Sequence, residues 1–444
     1  MKATPLAQAI ALAGVGACLT LPTLAHADFI ADSKASLELR NFYMNRDFRQ
    51  DGTPALPKVT GKTPVEYRSK SEEWAQGFLL RYESGFTEGT VGVGMDTLGT
   101  LGVKLDSGRG TSGTGLLQAD RETGEAQDSY GDLGVTAKLR VSKSILKAGT
   151  LTPKLPVLLS NDSRLLPQTF QGGQLNSMEI DGLVFDGGQL SRVNQRDSSD
   201  HETMGLTHSY NAKTKSTGAR GIDFKNGTLS DSDEFNFAGA SYKWNDQLST
   251  SYHYGNLDQY YNQHYLSAVH VLPIADKQSL KTDLRFARST DDGQTNVDNK
   301  ALGAMFTYTL GFQSFGLGYQ TMSGDTGFAY VNGTDAYLVN FVQIGDFAFK
   351  DEKSWQARYD YNFAGMGIPG LTFMTRYING SDVDRGAALS EGKEWERDMD
   401  IAYVVPEGNF KGVGVKWRNA TTRSNFGNNL DENRLILSYT LALW

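Results

Sequence analysis

The 444-residue chain carries its cations in a pattern suited to anion binding. Arg40, Arg81, Lys104, Lys138, Arg140, Lys281, Arg285, Arg358, Arg376, Lys416, Arg418 and Arg434 stand at positions that alternate with largely apolar neighbours, as in Leu284-Arg285-Phe286 and Leu139-Arg140-Val141. A guanidinium forks onto a carboxylate through two N–H donors and stays charged, so a series of such groups can hand an anion on without trapping it. Acids share the same face (Glu38, Glu83, Asp106, Asp283, Asp360, Asp400). A cross-strand ion pair is therefore the competing role for every cation. The cations with least acid in their own strand, Arg140, Arg376 and Arg418, then Arg358 and Arg285, are expected to contact anions; Arg40, Lys138 and Lys416 complete the series.

A second group of polar residues falls in two long loops. The stretch Thr152 to Ser177 is too rich in Pro, Gly, Asn and Ser for a strand. It is also too apolar (Leu155, Val157, Leu158, Leu165, Leu166, Phe170) to lie in water. Such a loop must pack on something, and inside a closed barrel it narrows the lumen. Asp162 and Arg164 lie in it, and Arg164 is expected either to tie the loop to a carboxylate or to meet a solute. The stretch Met322 to Ser354 supplies Tyr330, Asp335, Tyr337 and Asp346, which can orient a small solute or pack one loop on another.

Catalytic chemistry has weaker support. His201, His208, His253, His264 and His270 lack metal-ligand spacing, and no G-x-S-x-G elbow stands between a strand and a helix. Asp231-Ser232-Asp233 starts like a calcium loop but lacks its glycine and distal Glu. No catalytic, cofactor or metal site is expected.

The elements that must position these groups are strands. Leu133, Val135, Ala137, Leu139 and Val141 alternate with Gly134, Thr136, Lys138 and Arg140, and the same period of two recurs from Leu37 to Leu443. The recurrences predict about eighteen strands. Among them are Gly182 to Leu190 and Thr203 to Tyr210 in the stretch where register is hardest to assign. Connections alternate between tight (Asn245 to Gln247, Gly311 to Ser314) and long (Ser107 to Gly131, Met322 to Ser354), the asymmetry of an outer-membrane barrel. A soluble β-sandwich would show the same alternation. The aromatics decide for the membrane: Trp74, Tyr82, Trp355, Tyr359, Tyr361, Tyr377, Tyr403, Trp417 and Tyr439 all share the apolar face, several near strand ends, as interfacial girdles require. The expected fold is thus an all-β, transmembrane antiparallel barrel of 18 strands over residues 28–444, with inward-folded loops.

Residues 1–27, with Lys2, an apolar run and Ala25-His26-Ala27, read as a cleaved signal peptide. They include the one cysteine, Cys18, so the exported part needs no disulfide. A net charge of −8 argues against non-specific nucleic-acid binding.

Several motifs resemble one family. Asn161 to Phe170 (NDSRLLPQTF), Gln263 to Leu266, Ser279 to Arg285, Tyr330 to Asp335, Asn340 to Ile344 and Trp395 to Asp398 are similar to the OprD family of substrate-specific outer-membrane channels of pseudomonads, and the likeness runs from about Phe29 to the C-terminus. The resemblance implies an 18-stranded barrel whose third and seventh outer loops fold inward, and uptake of small carboxylate-bearing nutrients along a basic ladder. Its partners would be anionic or carboxylate-bearing solutes and outer-membrane lipid, and it would be a monomer or a weak homotrimer. Members divide between basic amino acids and cyclic or aromatic carboxylates. The former need an acidic pocket, which Asp162, Asp335 and Asp346 could form unless they cap loop turns, so a monocarboxylate is favoured. A general diffusion porin and an outer-membrane hydrolase with a Ser/His/Asp set are the alternatives. One departure concerns the end: Leu435, Leu437, Tyr439, Leu441 and Leu443 set the lipid face, and Trp444 falls one position out of phase.

Overall fold

Alternating segments bury one face only, and here the buried face is the polar one. A computed structural model describes residues 26–49, 68–120, 122–207, 220–225 and 231–444. The expected signal peptide lies outside the described residues except for its last two, which open a short helix, His26–Ala31. Among the described residues eighteen strands build the barrel wall, and three two-residue strands (Lys154–Leu155, Leu158–Leu159 and His201–Glu202) lie in the loops. The wall strands are β1 Lys34–Arg49, β2 Lys70–Glu83, β3 Val91–Ser107, β4 Ser129–Val141, β5 Ser144–Leu151, β6 Thr169–Ser177, β7 Leu183–Asn194, β8 Phe235–Lys243 and β9 Leu248–Leu257. The second half comprises β10 Tyr261–Ala275, β11 Gln278–Asp291, β12 Asp298–Leu310, β13 Gln313–Ser323, β14 Lys353–Asn362, β15 Leu371–Val383, β16 Gly392–Val404, β17 Gly414–Ser424 and β18 Asn429–Ala442.

Each wall strand pairs antiparallel with the next, and β18 pairs with β1 from Ser36↔Ala442 to Arg49↔Asn429. Closure leaves no strand edge, so every backbone donor and acceptor in hydrocarbon has a partner. The outer face is apolar: Leu133, Val135, Leu139 and Val141 of β4 are exposed while Thr136 and Lys138 between them are buried. Aromatics form belts on that face, with Tyr377 between Trp355 and Trp395 (5.6 and 5.7 Å between ring centres) near one end and Phe315 against Tyr359 (5.2 Å) near the other. Trp444 lies beyond β18, exposed, its N–H donating to Ala35 O at 3.3 Å.

Two expectations about strands are corrected. Thr169–Ser177, assigned above to a loop, is β6, paired with β5 and β7. Its glycines do not break the strand. A Cβ on Gly172 would stand 2.2 Å from Gln189 O, so the close approach of β7 requires glycine at this point, where the register also shifts. Conversely, Thr203–Thr207 is loop with isolated bridges Met204↔Ser232 and Leu206↔Val331, and residues 208–210 lie outside the described ones. Asp106 is a third correction. A bulge between Trp74 and Ala75 sets it opposite Trp74, which is exposed, and so on the outer face.

The apolar core is made largely by loops. Leu155, Val157 and Leu158 join Phe328, Ala329, Val331 and Leu338 in one cluster with Tyr261 and Tyr265 of β10. Leu165 and Leu166 join Leu116 and Leu117 in a second, with Phe42 and Met44 of β1 and Ala75 and Leu79 of β2. Loop 152–168 thus contacts inward-facing residues of strands far from its own: a Cβ on Gly77 would lie 3.1 Å from Leu165, and one on Gly255 would lie 2.9 Å from Val157.

Candidate functional site

Register places the inner cations in couples. Arg358 of β14 stands opposite Arg376 of β15, and Arg418 of β17 opposite Arg434 of β18. Like charges directly opposite repel. Between the two couples runs β16, whose inward face is Glu394, Glu396, Asp398 and Asp400. Asp398 takes Arg376 Nε at 2.7 Å; Asp400 takes Arg418 Nε at 3.0 and 3.1 Å and Lys416 Nζ at 3.2 Å. This corrects the expectation that Arg376 and Arg418 have little acid nearby: their carboxylates come from the adjacent strand, and only pairing reveals them. Among the described residues, Arg376 and Arg418 form hydrogen bonds through Nε alone, so their Nη nitrogens are left for another acceptor.

The other ladder residues are also anchored. Asp360 holds Arg358 at 2.8 and 2.7 Å, and Asp283 holds Arg285 at 3.0 and 2.8 Å with the Tyr337 ring centre 3.9 Å from the guanidinium carbon. Arg40 is held by Glu38 (3.0 and 2.7 Å) and spans from wall to loop, donating to Asp162 at 2.8 Å and to the carbonyl of Arg164 at 2.9 Å. Lys138 is buried against Asp96 (2.5 Å) and Ser84 O (2.9 Å), while Arg140 lies over the Phe86 ring at 4.5 Å near the tight-turn end. A cavity of about 430 Å³ is lined by Arg358, Asp360, Met374, Asp400 and Lys416. Another of about 300 Å³ is lined by Arg81, Asp96, Lys147, Lys154 and Asp162.

The loop residues separate into buried and accessible groups. Tyr330 donates to Asp346 at 2.7 Å, and Asp346 pairs with the fully buried Arg220; burial and the Asp346 charge push the Tyr330 phenol well above its ordinary range. Both belong to packing between loops. Arg164 is buried as well and does not reach Asp162: its Nε donates to Thr114 O at 3.2 Å and its Nη1 to Ser163 O at 3.1 Å. Burial first, then the guanidiniums of Arg434, Arg46 and Arg196, lower its pKa from the arginine value, yet a guanidinium keeps its proton at neutral pH. Asp162, whose side chain is 47% exposed, Tyr337 and Asp335 are the loop groups within reach of solvent.

Asp335 accepts from the Asn161 amide, linking the two loops, and burial lifts its carboxyl to about 6 against the pull of Arg196. A raised acid pKa means the docked loops bind this proton more tightly than the unfolded chain does, so the contact is favoured below the ordinary carboxylate range and loses that advantage as the pH rises through about 6. Lowering the pH from 7 to 5 should therefore move the reversal potential in a salt gradient toward anions. Asp335→Asn should abolish that step; a step of unchanged size in the variant would place the titrating group elsewhere.

Sequence reasoning missed the deepest anchor. Glu432, fully buried, lies between Arg434 (2.6 Å) and Arg46 (2.7 Å) and accepts from Gln343 Nε2 at 3.0 Å. Arg434 then reaches Ser163 O at 3.4 Å and Gln343 O at 3.1 Å, one carbonyl from each long loop. Glu396 adds a second tie, accepting from the N–H groups of Ile344 (2.9 Å) and Gly345 (2.7 Å). For this second tie the available signal is the alternation Glu394-Trp395-Glu396-Arg397-Asp398-Met399-Asp400, which puts four carboxylates on one face of a strand.

A closed antiparallel barrel with an apolar outer wall, a charged inner wall and its long loops at one end defines an outer-membrane porin. The chain belongs to the OprD family: the model for "outer membrane porin, OprD family" matches residues 27–443. It is 38% identical to the porin-like protein GalP of Pseudomonas putida over 99% of this chain and 98% of that one. Among solved structures, Pseudomonas aeruginosa OpdQ is 65% identical with a TM-score of 0.83, covering 94% of this chain and 100% of its own. Pseudomonas aeruginosa OpdK, solved with vanillate, is 37% identical with a TM-score of 0.81 over 94% and 100%. These relatives are porins, channels rather than enzymes, and the chain is a protein of the outer membrane. Among the described residues no group of three or more His, Cys, Asp or Glu is placed to hold a metal ion.

Proposed function

We propose that the chain is a passive, substrate-selective channel for small carboxylate-bearing solutes, which pass along Arg40, Arg285, Arg358, Arg376, Lys416 and Arg418 while loops 152–168 and 324–352 narrow the lumen. One observation carries the reading: Arg376 and Arg418 are held at Nε by Asp398 and Asp400, with their Nη edges unused among the described residues. An acid on one edge of a guanidinium fixes its orientation and moderates its charge, so a passing carboxylate is bound on the other edge without being trapped. A monocarboxylate without a cationic tail suits the loops best, since Asp346 is occupied by Arg220 and Asp335 by Asn161. Vanillate, an aromatic monocarboxylate, named with the related OpdK structure, is consistent with that class. Residues 1–27 act as the export signal in this reading, and the barrel works as a monomer or a weak homotrimer.

Planar bilayers and liposomes test it. Liposomes carrying only this channel should admit labelled benzoate faster than arginine; the reverse order would reverse the substrate class. A large, weakly selective conductance would favour a general diffusion porin, and ester or peptide hydrolysis without conductance would favour a hydrolase. Arg418→Ala should weaken carboxylate binding at its step by about 1 to 3 kcal/mol and reduce anion preference, while Asp400 keeps Lys416 as partner and the barrel stays folded. Arg418→Glu should act more strongly. A change in heat stability with unaltered ion selectivity would reduce Arg418 to a wall strut.

A further inference from the structure

The outer wall carries a polar row that transport does not use. On the face turned to lipid, pairing sets Tyr254, His264, Arg288, Lys300 and Ser323 side by side across β9 to β13, about 4.8 Å from one strand to the next. His264 is three residues into β10 from the long-loop end, the level at which outer-leaflet headgroups meet the barrel. The next row inward is apolar, with Tyr252, Leu266, Phe286 and Leu302 again side by side and all exposed. A groove of about 430 Å³ opens over the small side chains of Ala240, which ends that row beside Tyr252, and of Thr250 and Ala268, one row further in.

The charges of the upper row are unequally satisfied. Arg288 Nη2 donates to Asp298 at 3.0 Å, His264 Nδ1 is bonded to Tyr252 Oη at 2.8 Å, and the nearby Asp292 is taken by Asn256 and Asn262 at 2.9 and 3.0 Å. Elsewhere on this rim cations meet carboxylates: Lys353 with Asp382 (3.1 Å), Arg423 with Asp431 (2.8 Å), Lys70 with Glu72 (2.5 Å). Lys300 makes no ion pair among the described residues and is exposed. Its one carboxylate neighbour among them is Asp298, which Arg288 already engages. A positive charge next to Arg288, at the upper edge of an apolar groove that Leu302 borders, matches a negative head with an acyl tail; an apolar partner surface would leave two cations to share one carboxylate.

We propose that His264, Arg288 and Lys300, with the groove beneath them, form a binding site for one phosphorylated, acylated lipid of the outer leaflet, its phosphate on the cations and one acyl chain over Ala240, Thr250 and Ala268. The test is native mass spectrometry of the full barrel with bis-phosphorylated lipid A, its dephosphorylated form, and phosphatidylcholine. The barrel should retain one bis-phosphorylated lipid in preference to the other two. Lys300→Gln should weaken retention about fivefold, the usual worth of one cation beside an anionic surface; Lys300→Arg should keep it. Ala268→Leu, which fills the groove, should lower retention while bilayer conductance shows the barrel intact. Equal retention of phosphorylated and dephosphorylated lipid, or retention unchanged by both Lys300→Gln and Ala268→Leu, would overturn the site. An oligomer that Ala268→Leu dissociates would assign the groove to a second copy instead.

Discussion

Replacing residues 161–167 by two glycines is expected to raise single-channel conductance severalfold and to erase most of the anion preference. Ser160 and Gln168 already meet through a hydrogen bond, so the shortened segment closes without moving β5 or β6. What disappears is the part of the loop that Arg40 and Arg434 hold against the wall through Asp162, Ser163 and the carbonyls of Arg164 and Leu165. The strands keep their ladders, because none of the removed residues belongs to one. Recording in planar bilayers decides the matter, and a conductance equal to that of the parent would show that the lumen is narrowed elsewhere. Arg40→Ala should give a smaller rise, since Arg434 still holds Ser163.

Glu432→Ala should be the most destabilising single change in the inner wall. It leaves Arg434 and Arg46 side by side without their shared carboxylate, where Arg434 is fully buried. Removing one member of a buried ion pair costs about 3 to 5 kcal/mol, because the remaining charge has neither water nor a partner. The heat-induced mobility shift on gels, or loss of the β-sheet signal on heating, should move to lower temperature. Glu432→Ala combined with Arg434→Met should recover much of the loss, since the second change removes the stranded charge. If the single variant unfolds where the parent does, water reaches this network and the two loops are held by other contacts.

The barrel itself was legible in the chain. A period of two, with Leu133, Val135, Leu139 and Val141 on one side, is a local property, and hydrocarbon outside makes that side apolar whatever the pairing. The inward set followed from the same rule, which is why Arg40, Arg285, Arg358, Arg376, Lys416 and Arg418 all lie on the inner wall. The OprD likeness was legible too, carried by contiguous runs such as Asn161 to Phe170. What pairing adds is neighbours. Arg376 finds Asp398, and Arg418 finds Asp400, across a register that no single strand encodes. One bulge at Trp74 was enough to turn Asp106 to the outer face, and the close backbone approach at Gly172 made a strand of a segment whose composition reads as loop. The loops were decided latest of all: Asp346, Tyr330 and Arg164 look alike in sequence as polar groups on long connections, and only packing against Arg220 and Thr114 buries them, leaving Asp162, Tyr337 and Asp335 within reach of solvent. Periodicity is set by bonds along one chain, whereas an ion pair or a buried loop depends on atoms brought together from different segments, 18 residues apart for Arg418 and Asp400 and 386 for Arg46 and Glu432, and that information exists only once the strands have paired and the barrel has closed.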